Sequence, residues 1–173
     1  MTTITDALVT EHRVFLTVFD QVERALPKLD TLAEAKLLGT LVEDLLHGHA
    51  DAETNLAYAA LDHVLEEKGQ LDRMNQDHDE IDARLKQVQT ARDLAEGRRL
   101  LKAALKASRE HFRHEEETVF PLIERVLRRE TLLSLGEAWR QDHPRTGTPG
   151  PRHLPAGRRS AKSPPAKAVS KPR

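Results

Sequence analysis

Residues 101–126, LKAALKASREHFRHEEETVFPLIERV, decide how the rest of the chain is read. Leu101, Leu105, Ser108, Val119, Leu122 and Val126 recur at three- and four-residue steps, the period of one face of an α-helix. His111 and Glu115 fall on that same face, where an amphipathic helix places its core residues. A separation of four stacks their side chains about 6 Å apart along one stripe. Burying such groups costs free energy unless each finds a partner, so the stripe bears on chemistry as well as on fold.

Three more stripes follow the same rule. The first is Leu8, His12, Phe15, Phe19, Val22 and Leu26, and the third is Leu71, Met74, His78, Ile81, Leu85 and Val88. The second runs through Leu38, Val42, Leu45, His49, Glu53, Leu56, Ala60 and Val64. Breakers separate them: Pro27 with Asp30 after the first, where Asp30 could cap the second, then Gly69 and Gly97 after the second and third. Four long helices with short connections predict an all-α fold, an up-down-up-down four-helix bundle over residues 1–130. A short helix or linker is expected over 131–140, centred on Thr131–Trp139.

Each stripe is interrupted by one histidine, and the second and fourth also by a glutamate four residues on. In an antiparallel bundle, two residues at one height are bisected by the turn between their helices. The midpoints of His12, the His49/Glu53 pair, His78 and the His111/Glu115 pair fall near positions 31, 64–65 and 95–96, close to the three breakers. All six side chains are therefore expected at one level of the core. Left unpaired there, they would cost several kcal/mol each. A pair of divalent cations removes that penalty, with glutamates bridging and neutral imidazoles in terminal positions. Ligation by nitrogen and oxygen alone suits iron or manganese and also admits zinc. No Glu-x-x-His occurs, so the ferritin-like ligand pattern is absent, and His114-Glu-Glu-Glu-Thr118 lacks the second histidine of a zinc-protease helix.

The chain of 173 residues has no cysteine, which excludes disulfides, thiolate metal sites and thiol catalysis. No run approaches the roughly 20 apolar residues of a membrane span, and a soluble cytoplasmic protein is expected. Residues 141–173 carry eight basic residues against Asp142 alone, so the chain's net −1 leaves −8 on residues 1–140. This Pro/Lys/Arg-rich segment has too little apolar surface to offset its ordering entropy, which predicts a disordered basic tail. Its scattered charges would allow weak, salt-sensitive contact with nucleic acid, but without aromatic residues it has no means of stacking on bases.

The body resembles the hemerythrin-like family, in its bacterial HHE cation-binding branch. The carrying motif is His111-Phe-Arg-His-Glu115-Glu-Glu-Thr-Val-Phe120-Pro121, similar to the family's fourth-helix signature. His49-Ala-Asp-Ala-Glu53 with Tyr58 resembles the second-helix motif, and Glu11-His12 and Asp77-His78-Asp79-Glu80-Ile81 the single-histidine motifs. The resemblance covers about residues 5–128. It implies terminal ligands His12, His49, His78 and His111, with Glu53 and Glu115 bridging two non-haem iron ions. It further implies a small ligand such as dioxygen or a related oxidant, bound or sensed. Other members handle iron, nitric oxide or peroxide, so a di-iron enzyme and an iron-handling protein stand as alternatives.

Two departures from the oxygen carriers stand out. The carriers have a second histidine on helix three, four residues from the first, where Met74 and Asp82 flank His78 here. Their fourth-helix carboxylate lies five residues after the histidine rather than four. Fewer imidazoles leave positions for solvent or for Asp82, favouring sensing or redox reactivity over simple storage. Outside the six, Tyr58, Phe120 and Met74 are expected as core packing. Glu11, Glu116, Glu117 and His47 are expected in solvent, and His63 at a helix end.

Overall fold

The computed structural model describes residues 1–64 and 69–143. The tail expectation falls almost entirely on 144–173 and lies outside the described residues. What is described is all-α: five helices and no strand. Helix α1 is Ile4–Ala25, continued by a 3₁₀ turn at Leu26–Lys28. Helix α2 runs over 32–62 as Leu32–Ala52, a π-helical segment Glu53–Tyr58 and a last turn Ala59–Asp62. Helix α3 is Gly69–Thr90. Helix α4 runs over 94–126 as Leu94–His114, a second π-helical segment Glu115–Val119 and Phe120–Val126. Helix α5 is Arg129–Asp142, longer at both ends than Thr131–Trp139.

Local chemistry fixes the ends. Thr3 with Asp6 and Thr31 with Glu34 form capping boxes at the starts of α1 and α2, so Thr31, not Asp30, caps the second helix. Asp93 caps α4 by accepting from the Glu96 N–H. The turn before α4 is therefore at 91–93. Gly97 lies inside the helix, where a β-carbon would come 3.0 Å from Leu32.

Partners across the helices run in opposite senses: Thr5–Glu124, His12–Glu116 and Asp20–Arg109 join α1 to α4. The space near Gly39 is filled by Val88, and His78 reaches Glu53, joining α2 to α3 in the same manner. Two apolar clusters result. One gathers Phe15, Phe19, Val42, Leu85, Leu101 and Leu105; the other gathers Ile4, Leu8, Leu61, Met74, Phe120 and Ile123. His12 lies between Leu8 of one cluster and Phe15 of the other, so the polar level is sandwiched between two dry layers.

The π-helical segments change the stripes. In each, an N–H reaches a carbonyl five residues back: Ala59 to Thr54, and Phe120 to Glu115. The wider turn inserts one residue and moves the buried face on by one. Ala57 and Leu61 are buried where Leu56 and Ala60 were expected, and Ile123 where Leu122 was. Val64 and Val126, the last residues of the two predicted stripes, are exposed.

Helix α5 packs Leu132, Leu135 and Trp139 against the second cluster. Its approach to the start of α1 is close: a β-carbon at Gly136 would lie 2.2 Å from the Thr2 carbonyl oxygen. Only glycine fits there.

Candidate metal centre

All six side chains meet. His12, His49, Glu53, His111 and Glu115 are buried, and His78 is nearly so. Their ligating atoms form two groups, His12–His49–Glu53–Glu115 and Glu53–His78–His111–Glu115, each within 4.8 Å. Both glutamates belong to both groups. Both are also the first residues of π-helical segments, so the backbone irregularity and the shared carboxylates coincide.

The separations suit ligation. His12 Nε2 lies 2.9 Å from His49 Nε2, which is 3.1 Å from Glu53 Oε1. His12 and His111 Nε2 each lie 3.4 Å from Glu115 Oε2, and His78 Nε2 lies 3.3 Å from Glu53 Oε2. Donors bound to one cation at about 2.1 Å stand roughly 3 Å apart when adjacent and roughly 4 Å when opposite. Among the described residues, both Glu53 oxygens, Glu115 Oε2 and both His111 nitrogens are buried without a hydrogen-bond partner. Orphaned acceptors at one point of the core are what a cation would satisfy.

An outer ring orients the imidazoles. His49 Nδ1 donates to Glu11 Oε2 and His12 Nδ1 to Glu116 Oε1, each at 2.9 Å. An ionised carboxylate can only accept, so these contacts put the proton on Nδ1 and turn Nε2 inward. Glu11, expected in solvent, is instead half-buried against the site. Glu116 is exposed as expected yet reaches His12, and Glu117 stays on the surface beside Arg113. The same Glu11 oxygen accepts from Trp139 Nε1 at 3.2 Å, tying α5 to this ring. Asp77 stands 3.7 Å from His111 Nδ1, beyond hydrogen-bond reach.

Tyr58 and Phe120 are core residues as expected, and Tyr58 does more. Its hydroxyl donates to Glu115 Oε1. Phe120 and Phe112 stack on the His12 ring at 5.6 and 4.0 Å. Phe112, adjacent to a histidine in the chain, gave no signal of its own in the sequence. Asp82 belongs to neither donor group. His47 and His63 are exposed, His47 beside Asp51.

Electrostatics point the same way. Burial opposes protonation of His12, but Glu115 and Glu53 overcome it and raise its pKa to about 9. Burial likewise opposes His49, and Glu53 with Glu11 raises it to about 10. Glu53 is held well below the carboxylate range despite burial, chiefly by His49 and His12. Burial dominates at His111 and lowers it, and burial with Glu53 and Glu115 pushes the Tyr58 phenol up. Protons here stand where cations would, balancing two buried carboxylates.

A layer of imidazole and carboxylate at mid-height of an all-α body defines a cation-binding helical protein. The sequence matches the hemerythrin HHE cation binding domain over residues 3–123, and the chain belongs to that family. No curated protein and no solved structure matches it. The match carries no support for contact with nucleic acid. No helix among the described residues is long and apolar enough to cross a membrane.

Proposed function

We propose that the chain holds a non-haem di-iron centre that binds or senses dioxygen or a related small oxidant. The observation that carries this reading is the pair of donor groups sharing Glu53 and Glu115. His12 and His49 would serve one iron, His78 and His111 the other. When bound, the iron pair would supply the redox chemistry and the open positions for a small ligand. The chain's own residues do the rest. Glu11 and Glu116 hold the tautomers of His49 and His12, and Phe112 and Phe120 keep water from the His12 side. In the same reading the four long helices form an up-down-up-down bundle, and a change of ligation would be passed to a partner through helix packing.

A second reading, an enzyme removing peroxide or nitric oxide, is favoured by the Tyr58 hydroxyl on Glu115, which places a proton inside the site. Metal analysis with an optical spectrum of the anaerobically reduced protein, before and after air, tests the first reading. Two irons per chain and a new near-ultraviolet or visible band are expected. Absence of iron, or no response to air, withdraws the oxygen-linked function. Sustained peroxide loss under turnover would select the enzyme.

A further inference from the structure

Two cavities reach the donor cluster from outside, and their linings differ in charge. The smaller, about 270 Å³, touches the cluster at His111 between α3 and α4. Arg73, Arg84 and Arg113 line it together with Asp77, Glu80 and Glu110, so its formal charges cancel. The larger, about 470 Å³, opens between α2 and α3 onto His49, His78 and His111. Its ionisable rim is Asp51, Asp79 and Asp82 with His47, and among the described residues no lysine or arginine lines it.

We propose that the α2–α3 cavity is the port through which a divalent cation reaches the donor cluster, drawn in by Asp51, Asp79 and Asp82. The inference rests on the metal-binding reading of the cluster and adds the route and its selectivity. Two observations carry it together. The rim has one sign of charge, and the cavity leads to His111, 4 % exposed, whose ring nitrogens have no hydrogen-bond partner. A cleft of one sign with low-dielectric walls concentrates its counter-ion and speeds encounter by ~10–1,000-fold. The rim carboxylates also offer oxygen donors to an ion still shedding its water, before the buried imidazoles replace them. In the balanced cavity the arginines remove that attraction. Dioxygen and nitric oxide are uncharged, so the rim acts on loading of the centre and not on a neutral ligand.

The test follows loading of the metal-free full chain by cobalt(II), whose visible bands report incorporation, in rapid mixing. The triple variant Asp51→Asn, Asp79→Asn, Asp82→Asn is expected to load about tenfold more slowly at low ionic strength, reaching the same final cobalt content. The gap should close in high salt, as screening removes the attraction. Equal rates at low salt, or a gap that salt leaves unchanged, would overturn the port. So would slower loading in Glu80→Gln, Glu110→Gln, which alters only the balanced cavity. Should the triple variant fail to fold, the parent decides: its own loading rate must fall with added salt, and a flat profile rejects the proposal. A parent that takes up no cobalt withdraws the metal reading as well. One that loads normally beside an equally fast variant withdraws the port alone.

Discussion

Glu53 and Glu115 each serve both donor groups, so a change at either is felt by the whole cluster. Glu53→Ala or Glu115→Ala is expected to lower metal content sharply, measured by elemental analysis. Full retention in both variants would sink the bridging role. Removing Glu11 should act more gently. Loss of the carboxylate that orients a ligating histidine typically costs 10–100-fold in affinity. Glu11→Ala is therefore expected to weaken metal binding by about that factor, with Glu117→Ala as the silent control. The six central residues were legible because helical period and matched height are arithmetic on one sequence. Glu11 and Glu116 were not, because each lies beside a core position on its own helix and finds its partner on another. Only knowing how α1 turns toward α2 and α4 reveals them.

The π-helical segments mark where helical arithmetic stops holding. Up to Glu53 and Glu115 the histidines and glutamates fall on the buried face as predicted, although Leu46 rather than Leu45 fills the core of α2. Beyond them Ala57, Leu61 and Ile123 are buried one residue on from the predicted positions, while Val119 keeps its place. Period alone could not show this, since both halves of each helix remain amphipathic and the shift appears only as a slip between them. If each segment holds one inserted residue, deleting exposed Asn55 should convert α2 to a regular helix with its far half still facing inward. Far-UV circular dichroism and cooperative melting are expected to persist; loss of cooperativity would reject the one-residue shift. Helix α5 offers a second test. Gly136→Val places a branched side chain against the Thr2 carbonyl, and a loss of roughly 1–3 kcal/mol in urea unfolding is expected from such overpacking. Unchanged stability would mean α5 does not seat this closely on α1.

Across the whole molecule the metal-free centre makes stability depend on pH. The folded-state pKa values of His12 and His49, about 9 and about 10, lie above the ordinary 6.5, and that of His78 is raised too. Their contribution is present in full below 6.5 and is lost as pH rises through those values. Glu53 acts oppositely, stabilising above 4.5 and losing its effect on acidification; lowered His111 also favours the neutral side, one group against three. The metal-free protein is therefore expected to melt at progressively lower temperature between pH 6.5 and 10. The loaded protein, its histidines held neutral by the cation, should lack this slope. Parallel melts with and without chelator check it, and coincident profiles would contradict it.

One contact of α5 has an optical consequence. Trp139 is the chain's single tryptophan, and its indole N–H rests on the Glu11 oxygen that also holds His49. An indole is a fluorophore whose emission responds to the charge of its hydrogen-bond partner and to a nearby quenching ion. When a cation replaces the proton on His49, the charge felt through Glu11 changes, and so should the emission. The protein thus carries an internal gauge of its own loading, readable without any added dye. Emission that stays constant throughout a metal titration would show that the indole and the centre are uncoupled.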